Sequence, residues 1–189
     1  MEVWERGVDP YPKGLIELSH PPKVLYALGN RAVLDRPVVT VVGTRRATPY
    51  GERVTLAIAT VLARAGACVL SGLALGIDTV AHIAALDAGG ATCAMIATGL
   101  DVVAPPSHAR VQAAIADRGL VLTEHGLGTT ARPYSFPQRN RLLAALAQLV
   151  VVVEAGPKSG SLITARVGLD LGRTVAAVPG TIIAKRLPT

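Results

Sequence analysis

Val38-Val39-Thr40-Val41-Val42 is an unbroken β-branched run that stops at Gly43. A run apolar on both sides is how a strand buried under two layers of helix reads in a parallel sheet. The residues that follow, Thr44-Arg45-Arg46-Ala47-Thr48-Pro49-Tyr50-Gly51, form a short turn with two arginines and two threonines. An Ala/Leu/Ile-rich helix is predicted from about residue 52 to 65, with Gly66 as its C-terminal cap. A strand feeding a helix through such a turn aims unpaired N–H groups and the positive helix end at one point, where an anion is held. Arg45 and Arg46 add charge there, so the stretch reads as a phosphate-binding turn. The alternative is a solvated pair of surface arginines. The glycines at 43 and 51 do not make a G-x-G-x-x-G fingerprint, and the sequence holds no G-x-x-x-x-G-K-[ST] loop.

Beyond this unit the pattern alternates. Strands are predicted at 67–71, 92–98, 120–123, 149–153 and 174–178, and helices at 78–88, 109–118, 140–147 and 161–171. Strict alternation predicts an α/β fold: a Rossmann-like, doubly wound, mostly parallel sheet with helices on both faces. Residues 1–36 read differently, with Tyr11-Pro12 and Pro21-Pro22 among short apolar stretches. Proline removes donors and biases its predecessor to extended geometry, which predicts loops and short helices on the edge of the main domain, an appendage or lid outside the core. The chain thus divides into a Pro-rich N-terminal appendage, 1–36, and a Rossmann-like domain, 37–189. In open sheets of this kind ligands sit beyond the carboxyl ends of the strands. Thr44, Arg45, Ser71, Gly72, Gly99, Asp101, Glu124, Glu154 and Ser159 are therefore expected on one rim.

Charge narrows the partner. Only 17% of the residues are charged, yet the balance is +6, which suggests nucleic acid or nucleotides as the anionic partner. A generally basic surface is the bland alternative. Cys68 and Cys93 lie in apolar runs and read as buried free thiols in a reducing interior. Met1-Glu2-Val3-Trp4-Glu5-Arg6 lacks the start of a signal peptide, and glycine and charge interrupt every candidate spanning helix. The expectation is a cytoplasmic protein without a membrane partner.

Phe136-Pro137-Gln138-Arg139-Asn140-Arg141 holds the only phenylalanine of the chain, placed by the predicted elements in a polar loop. One reading is a base-stacking ring beside phosphate-gripping arginines, which single-stranded nucleic acid uses because every base has a π-face. The other is a ring that pins the loop, with Arg139 and Arg141 bonded to Glu124 or Glu154. Asp78 and His82 share a helix face at i, i+4, but no third metal ligand follows. Ser71, Ser159 and Ser161 lack a G-x-S-x-G elbow, so no catalytic serine is assigned. Gly156-Pro157-Lys158-Ser159-Gly160-Ser161 is not a Walker loop, yet it can offer amides, two hydroxyls and an ammonium to an anion.

Taken together, several motifs resemble the DNA-processing protein A (DprA/Smf) family. They are Val41-Val42-Gly43-Thr44-Arg45-Arg46-Ala47-Thr48-x-Tyr50-Gly51, Ser71-Gly72-Leu73-Ala74-x-Gly76-Ile77-Asp78-x-x-Ala81-His82, Phe136-Pro137-x-Arg139-Asn140-Arg141, Glu154-Ala155 with Ser159-Gly160-Ser161-Leu162-x-Thr164-Ala165, and Val178-Pro179-Gly180. The resemblance implies a non-enzymatic, cytoplasmic, dimeric protein. It would bind single-stranded DNA and help load the recombinase RecA during natural transformation. The DNA-binding set would be Gly43, Thr44, Arg45, Arg46, Thr48, Ser71, Gly72, Phe136, Arg139, Asn140, Arg141, Lys158, Ser159, Gly160 and Ser161. Asp78, His82, Glu124 and Glu154 would build the rim, and no cofactor or metal is implied. After Pro179-Gly180 the family continues with Gly/Asn-rich sequence where this chain stops at Thr189, and Ala104-Pro105 stands where Tyr-Pro is common. The architecture also resembles LOG-like nucleotide hydrolases, but their P-G-G-x-G-T-x-x-E turn and its catalytic acid do not occur here.

Overall fold

Eight strands form a single sheet in the computed structural model, which describes residues 1–180. They are β1 (Glu2–Glu5), β2 (Val24–Gly29), β3 (Val38–Val42), β4 (Cys68–Ser71), β5 (Ala91–Met95), β6 (Leu120–Thr123), β7 (Leu149–Val152) and β8 (Thr174–Ala177). Five helices accompany them: α1 (Pro49–Arg64), α2 (Ile77–Asp87), α3 (Ala109–Arg118), α4 (Ser135–Leu146) and α5 (Ser161–Asp170). The spatial order is β1-β2-β6-β5-β4-β3-β7-β8, and the six strands from β6 to β8 run parallel. Chain order reverses between β3 and β7, which makes the sheet doubly wound and opens a crevice at the carboxyl ends of those two strands.

All five residues of β3 are buried, which explains the unbroken β-branched run. Val38 and Val42 join a core with Leu142 and Leu143 of α4 and partly buried Ala165 and Val167 of α5. Val39 and Val41 face the opposite way, onto Ala59 and Ala63 of α1 and Ala81 and Ala84 of α2. Helices therefore cover both faces, as the alternation predicts.

Two local expectations are corrected. Residues 1–36 do contain 3-10 turns at Lys13–Glu17 and Arg31–Asp35, but they also supply β1 and β2, which pair antiparallel to each other and to β6. Trp4, Leu15 and Leu25 of this segment are buried in the α4 and α5 side of the core. Pro10, Pro12, Pro21 and Pro22 all lie between the two strands, where no ladder bond needs the missing N–H. Helix α4 begins at Ser135, not near 140, so Phe136 stands in its first turn and not in a loop. Pro137 falls in that same turn, where a helix needs no amide donor. Residues 181–189 of the expected domain lie outside the described residues.

Both cysteines are free and buried; burial pushes the Cys68 thiol up to about 12 and that of Cys93 well above its usual value. No described helix is long and apolar enough to cross a membrane.

Candidate functional site

A cavity of about 700 Å³ opens at the carboxyl ends of β3 and β7. Its wall is built from three segments: the turn Gly43–Arg46 after β3, the first turns of α4 with Phe136, Arg139 and Asn140, and the loop from Gly156 to the start of α5. Two chain features fix the first segment. At Gly43 a Cβ would lie 2.5 Å from the Ile77 side chain and 2.9 Å from the Glu154 carbonyl, so only glycine lets the turn pass. The Thr44 amide donates to the Glu154 carbonyl at 2.7 Å. Thr48 then caps α1, accepting from the Gly51 amide at 3.1 Å. Its own amide and hydroxyl both donate to Glu154 Oε2, at 3.0 and 3.2 Å. Glu154 is thus a brace for the turn.

The floor of the cavity is Arg139, only 3% exposed. Its Nη1 donates to the carbonyls of Gly72 and Met95, at the ends of β4 and β5. Its Nε donates to Asn140 Oδ1 at 3.1 Å, and Asn140 Nδ2 donates to the Gly160 carbonyl at 2.9 Å. Among the described residues this guanidinium makes no ion pair. Burial lowers its pKa to about 10, with nearby Asp78 opposing the shift and Arg45 adding to it, so it stays charged at neutral pH. A buried charge without a direct ion pair is costly, and an anion in the cavity would relieve that cost.

Asp78, 6% exposed, is the one carboxylate lining the cavity among the described residues. Its Oδ2 accepts from the amides of Gly72 and Ala74 at 3.1 and 3.3 Å, tying the turn after β4 to the start of α2. Burial pushes its pKa up and Arg139 pulls it back. Arg45 lies over the Phe136 ring, 4.4 Å from its centroid. On the far side Lys158 is exposed, Ser159 Oγ and Ser161 Oγ are 2.7 Å apart, and α5 opens its positive end on the cavity. The arrangement presents four cations, Arg45, Arg46, Arg139 and Lys158, around helix-terminal amides and hydroxyls. No cluster of His, Cys, Asp or Glu among the described residues could hold a metal ion.

A family model for DNA recombination-mediator protein A matches residues 3–187. The chain belongs to this family. It is 42% identical over 178 residues to Protein Smf of Synechocystis sp. and 43% identical over 179 residues to DNA processing protein DprA of Streptococcus pneumoniae. Those matches cover 90% and 93% of this chain but 44% and 62% of the relatives. The X-ray structure of the Streptococcus pneumoniae DprA superposes with a TM-score of 0.93 at 41% identity, covering 97% of this chain and 64% of that one. DNA processing protein A from Helicobacter pylori, whose structure addresses its single-stranded DNA binding mode, gives a TM-score of 0.87 at 36% identity, covering 93% and 81%. The resemblance read from the sequence motifs is borne out.

In this chain, most residues singled out by the motifs converge on the cavity: Gly43, Thr44, Arg45, Arg46, Phe136, Arg139, Asn140, Lys158, Ser159, Gly160 and Ser161 all line it. Others stand apart. Thr48 caps a helix, and buried Ser71 donates to the Val41 carbonyl at 2.6 Å. Gly72 supports Arg139 through its carbonyl and borders a neighbouring cavity. Arg141 points elsewhere, ion-paired with Glu124 and donating to the His20 carbonyl at 2.9 Å. Glu124 therefore neutralises an arginine away from the cavity. Thr164 belongs to the Ser159–Ala165 motif but not to the expected DNA-binding set: it is buried, lines the cavity, and its Oγ1 has no partner among the described residues. Its spacing of three from Ser161 puts both on one face of α5, which is the signal that could have found it.

His82 is also off the rim. It is fully buried, and its Nδ1 lies 2.7 Å from Thr92 Oγ1, whose hydroxyl donates to the Val69 carbonyl at 2.8 Å. Nδ1–H is therefore the donor, and Nε2 is buried without a partner among the described residues. Burial, followed by Arg139 and His108, lowers its pKa from 6.5 to about 3. The unfolded chain takes up this proton first, so the imidazole's contribution to stability is complete above about pH 6.5 and drains away as the pH falls toward 3. Chemical denaturation across that window should show a shallower loss for His82→Gln than for wild type. Parallel curves would remove His82 as the source.

Proposed function

We propose that the cavity grips the phosphate backbone of single-stranded DNA and holds the strand without cutting it. The observation that carries this reading is Arg139, a buried guanidinium with no ion pair among the described residues, on the floor of a cavity ringed by three further cations. Phosphates are recognised through charge and amides, which are independent of base identity. The Helicobacter pylori relative, studied for its single-stranded DNA binding mode, supports the same reading. The finer part of the proposal is a cytoplasmic homodimer that helps load RecA during natural transformation. Family membership supports it, and because the chain spans 44% and 62% of the two relatives' lengths, it describes the whole protein's role. Light scattering of the purified chain, and RecA filament assembly on DNA with and without it, test those two points.

A hydrolase would need a free acid or base in the cavity. Asp78 is instead engaged by two amides and serves as a clamp. An electrophoretic titration of single- against double-stranded DNA, with a nucleotide-release assay beside it, separates the readings: tight single-strand binding without release supports the proposal, and release of a base or phosphate overturns it. Arg45→Ala should weaken binding equally for every base sequence. Phe136→Ala should cost about 1–3 kcal/mol if a base stacks on the ring, as stacked aromatics do in single-strand binders. Wild-type affinity in Phe136→Ala would leave the ring a mere support for Arg45.

A further inference from the structure

We infer that His108 is a positioning residue for the bound strand: as an imidazolium it locks the turn after β4, so that holding single-stranded DNA is linked to taking up a proton. This inference rests on the single-stranded DNA reading and adds to it a residue outside the cavity wall.

The ring belongs to the 3-10 turn Pro106–His108 and is only 5% exposed. Its Nδ1 lies 3.0 Å from the Leu73 carbonyl, which can only accept, so Nδ1 carries a hydrogen. Its Nε2 lies 3.2 Å from Oγ1 of Thr79 on α2. The single hydroxyl hydrogen of Thr79 goes to the Ala74 carbonyl at 2.6 Å, so Nε2 meets a lone pair and has to donate as well. Only the doubly protonated ring satisfies all three contacts. In the neutral ring Thr79 would have to choose between Nε2 and Ala74, and one acceptor would go unmade.

The turn is one that needs holding. Leu73 has a φ of 53°, a left-handed conformation that leucine seldom adopts. Asp78 holds the Gly72 and Ala74 amides, while His108 and Thr79 hold the Leu73 and Ala74 carbonyls. From there the turn reaches the phosphate site at three points. Ala74 lines the cavity, the Gly72 carbonyl accepts from Arg139, and a Cβ on Gly76 would collide with the backbone of Thr44 and Arg45. An anionic strand favours a positive ring behind the turn, and the positive ring favours the strand by the same factor.

Few other groups near the ring can change charge with it. On α2, Asp78 is engaged by the turn, and burial, Arg139 and His108 lower the pKa of His82 to about 3, so His82 stays neutral at pH 6 and above. On the preceding loop Asp101 accepts from the Gly128 amide, and Arg110 is exposed at the start of α3. His20 and His125 are the remaining histidines of the chain.

The test measures oligothymidylate affinity at pH 6 and pH 8, the range in which imidazoles exchange protons, at one salt concentration. Wild type should bind about 5- to 100-fold more tightly at pH 6, from the usual coupling between two sites up to tenfold per pH unit for one proton. His108→Gln, neutral throughout, should bind equally at both pH values. Thr79→Val removes the hydroxyl and keeps His108, and it should lose the pH dependence too. Full pH dependence in Thr79→Val would show that the ring acts through its field alone and would overturn the lock. Full pH dependence in His108→Gln would assign the proton to His20 or His125 and overturn it as well. Thermal melting identifies a variant that fails to fold, and nitrogen-15 NMR of the histidine rings in DNA-bound wild type at pH 6 then decides. Two N–H groups on His108 support the lock, and a neutral tautomer overturns it. Wild type that binds equally at both pH values, with steep salt dependence, removes this inference and leaves the phosphate reading standing. If wild type binds at neither pH, both fall.

Discussion

Arg139→Met is expected to lower the free energy of unfolding by about 2–3 kcal/mol, because buried acceptors are left unmade at about 1–3 kcal/mol each while relief of the unpaired buried charge offsets part of that loss. Methionine nearly conserves length and apolar volume, so the loss reports hydrogen bonds and charge, not a void. Three acceptors lose their donor: the Gly72 and Met95 carbonyls and Asn140 Oδ1. A buried acceptor left unmade costs about 1–3 kcal/mol. Asn140 in turn holds the Gly160 carbonyl, so the loop before α5 loosens with it. Gly72 reports the same tight fit from the other side: a Cβ there would sit 2.3 Å from the Arg139 guanidinium. Arg139→Lys should recover only part of the loss, because one ammonium can stand in for Nη1 at the two carbonyls but cannot also make the Nε bond to Asn140. Urea denaturation of the three proteins measures this. A loss under about 1 kcal/mol for Arg139→Met would show that the guanidinium does not brace the site.

The same residue shows how far sequence reasoning reaches. The parallel strands were legible because their side chains must be apolar on both faces, as Val38 to Val42 shows. The phosphate turn was legible because strand, glycine and helix cap occur in fixed order. The burial of Arg139 was not, since an arginine in a polar stretch reads as solvated until β4 and β5 bring two carbonyls to it. Arg141 looked equivalent at the level of sequence, and only tertiary contact with Glu124 and the His20 carbonyl turns it away. Strands β1 and β2 hid on either side of a Pro-rich connection, and only their pairing with each other and with β6 marks the flanking residues as strands. The start of α4 hid behind Pro137 for a related reason: proline breaks a helix interior but not its first turn.

Electrostatic capture of a strand has a direct signature in salt. If Arg45, Arg46, Arg139 and Lys158 each neutralise one phosphate, log affinity for oligothymidylate should fall against log salt with a slope of about −2.8. That is a loss of about 50-fold between roughly 50 and 200 mM salt. Arg45 and Lys158 stand on opposite sides of the cavity, on the turn after β3 and the loop before α5, so removing both tests whether one strand spans them. The decisive measurement is this slope in wild type and in Arg45→Ala/Lys158→Ala. A steep wild-type slope that halves to about −1.4 in the double variant is the expected result. A slope near zero, or one unchanged by the double substitution, would contradict phosphate capture at the mouth of the sheet.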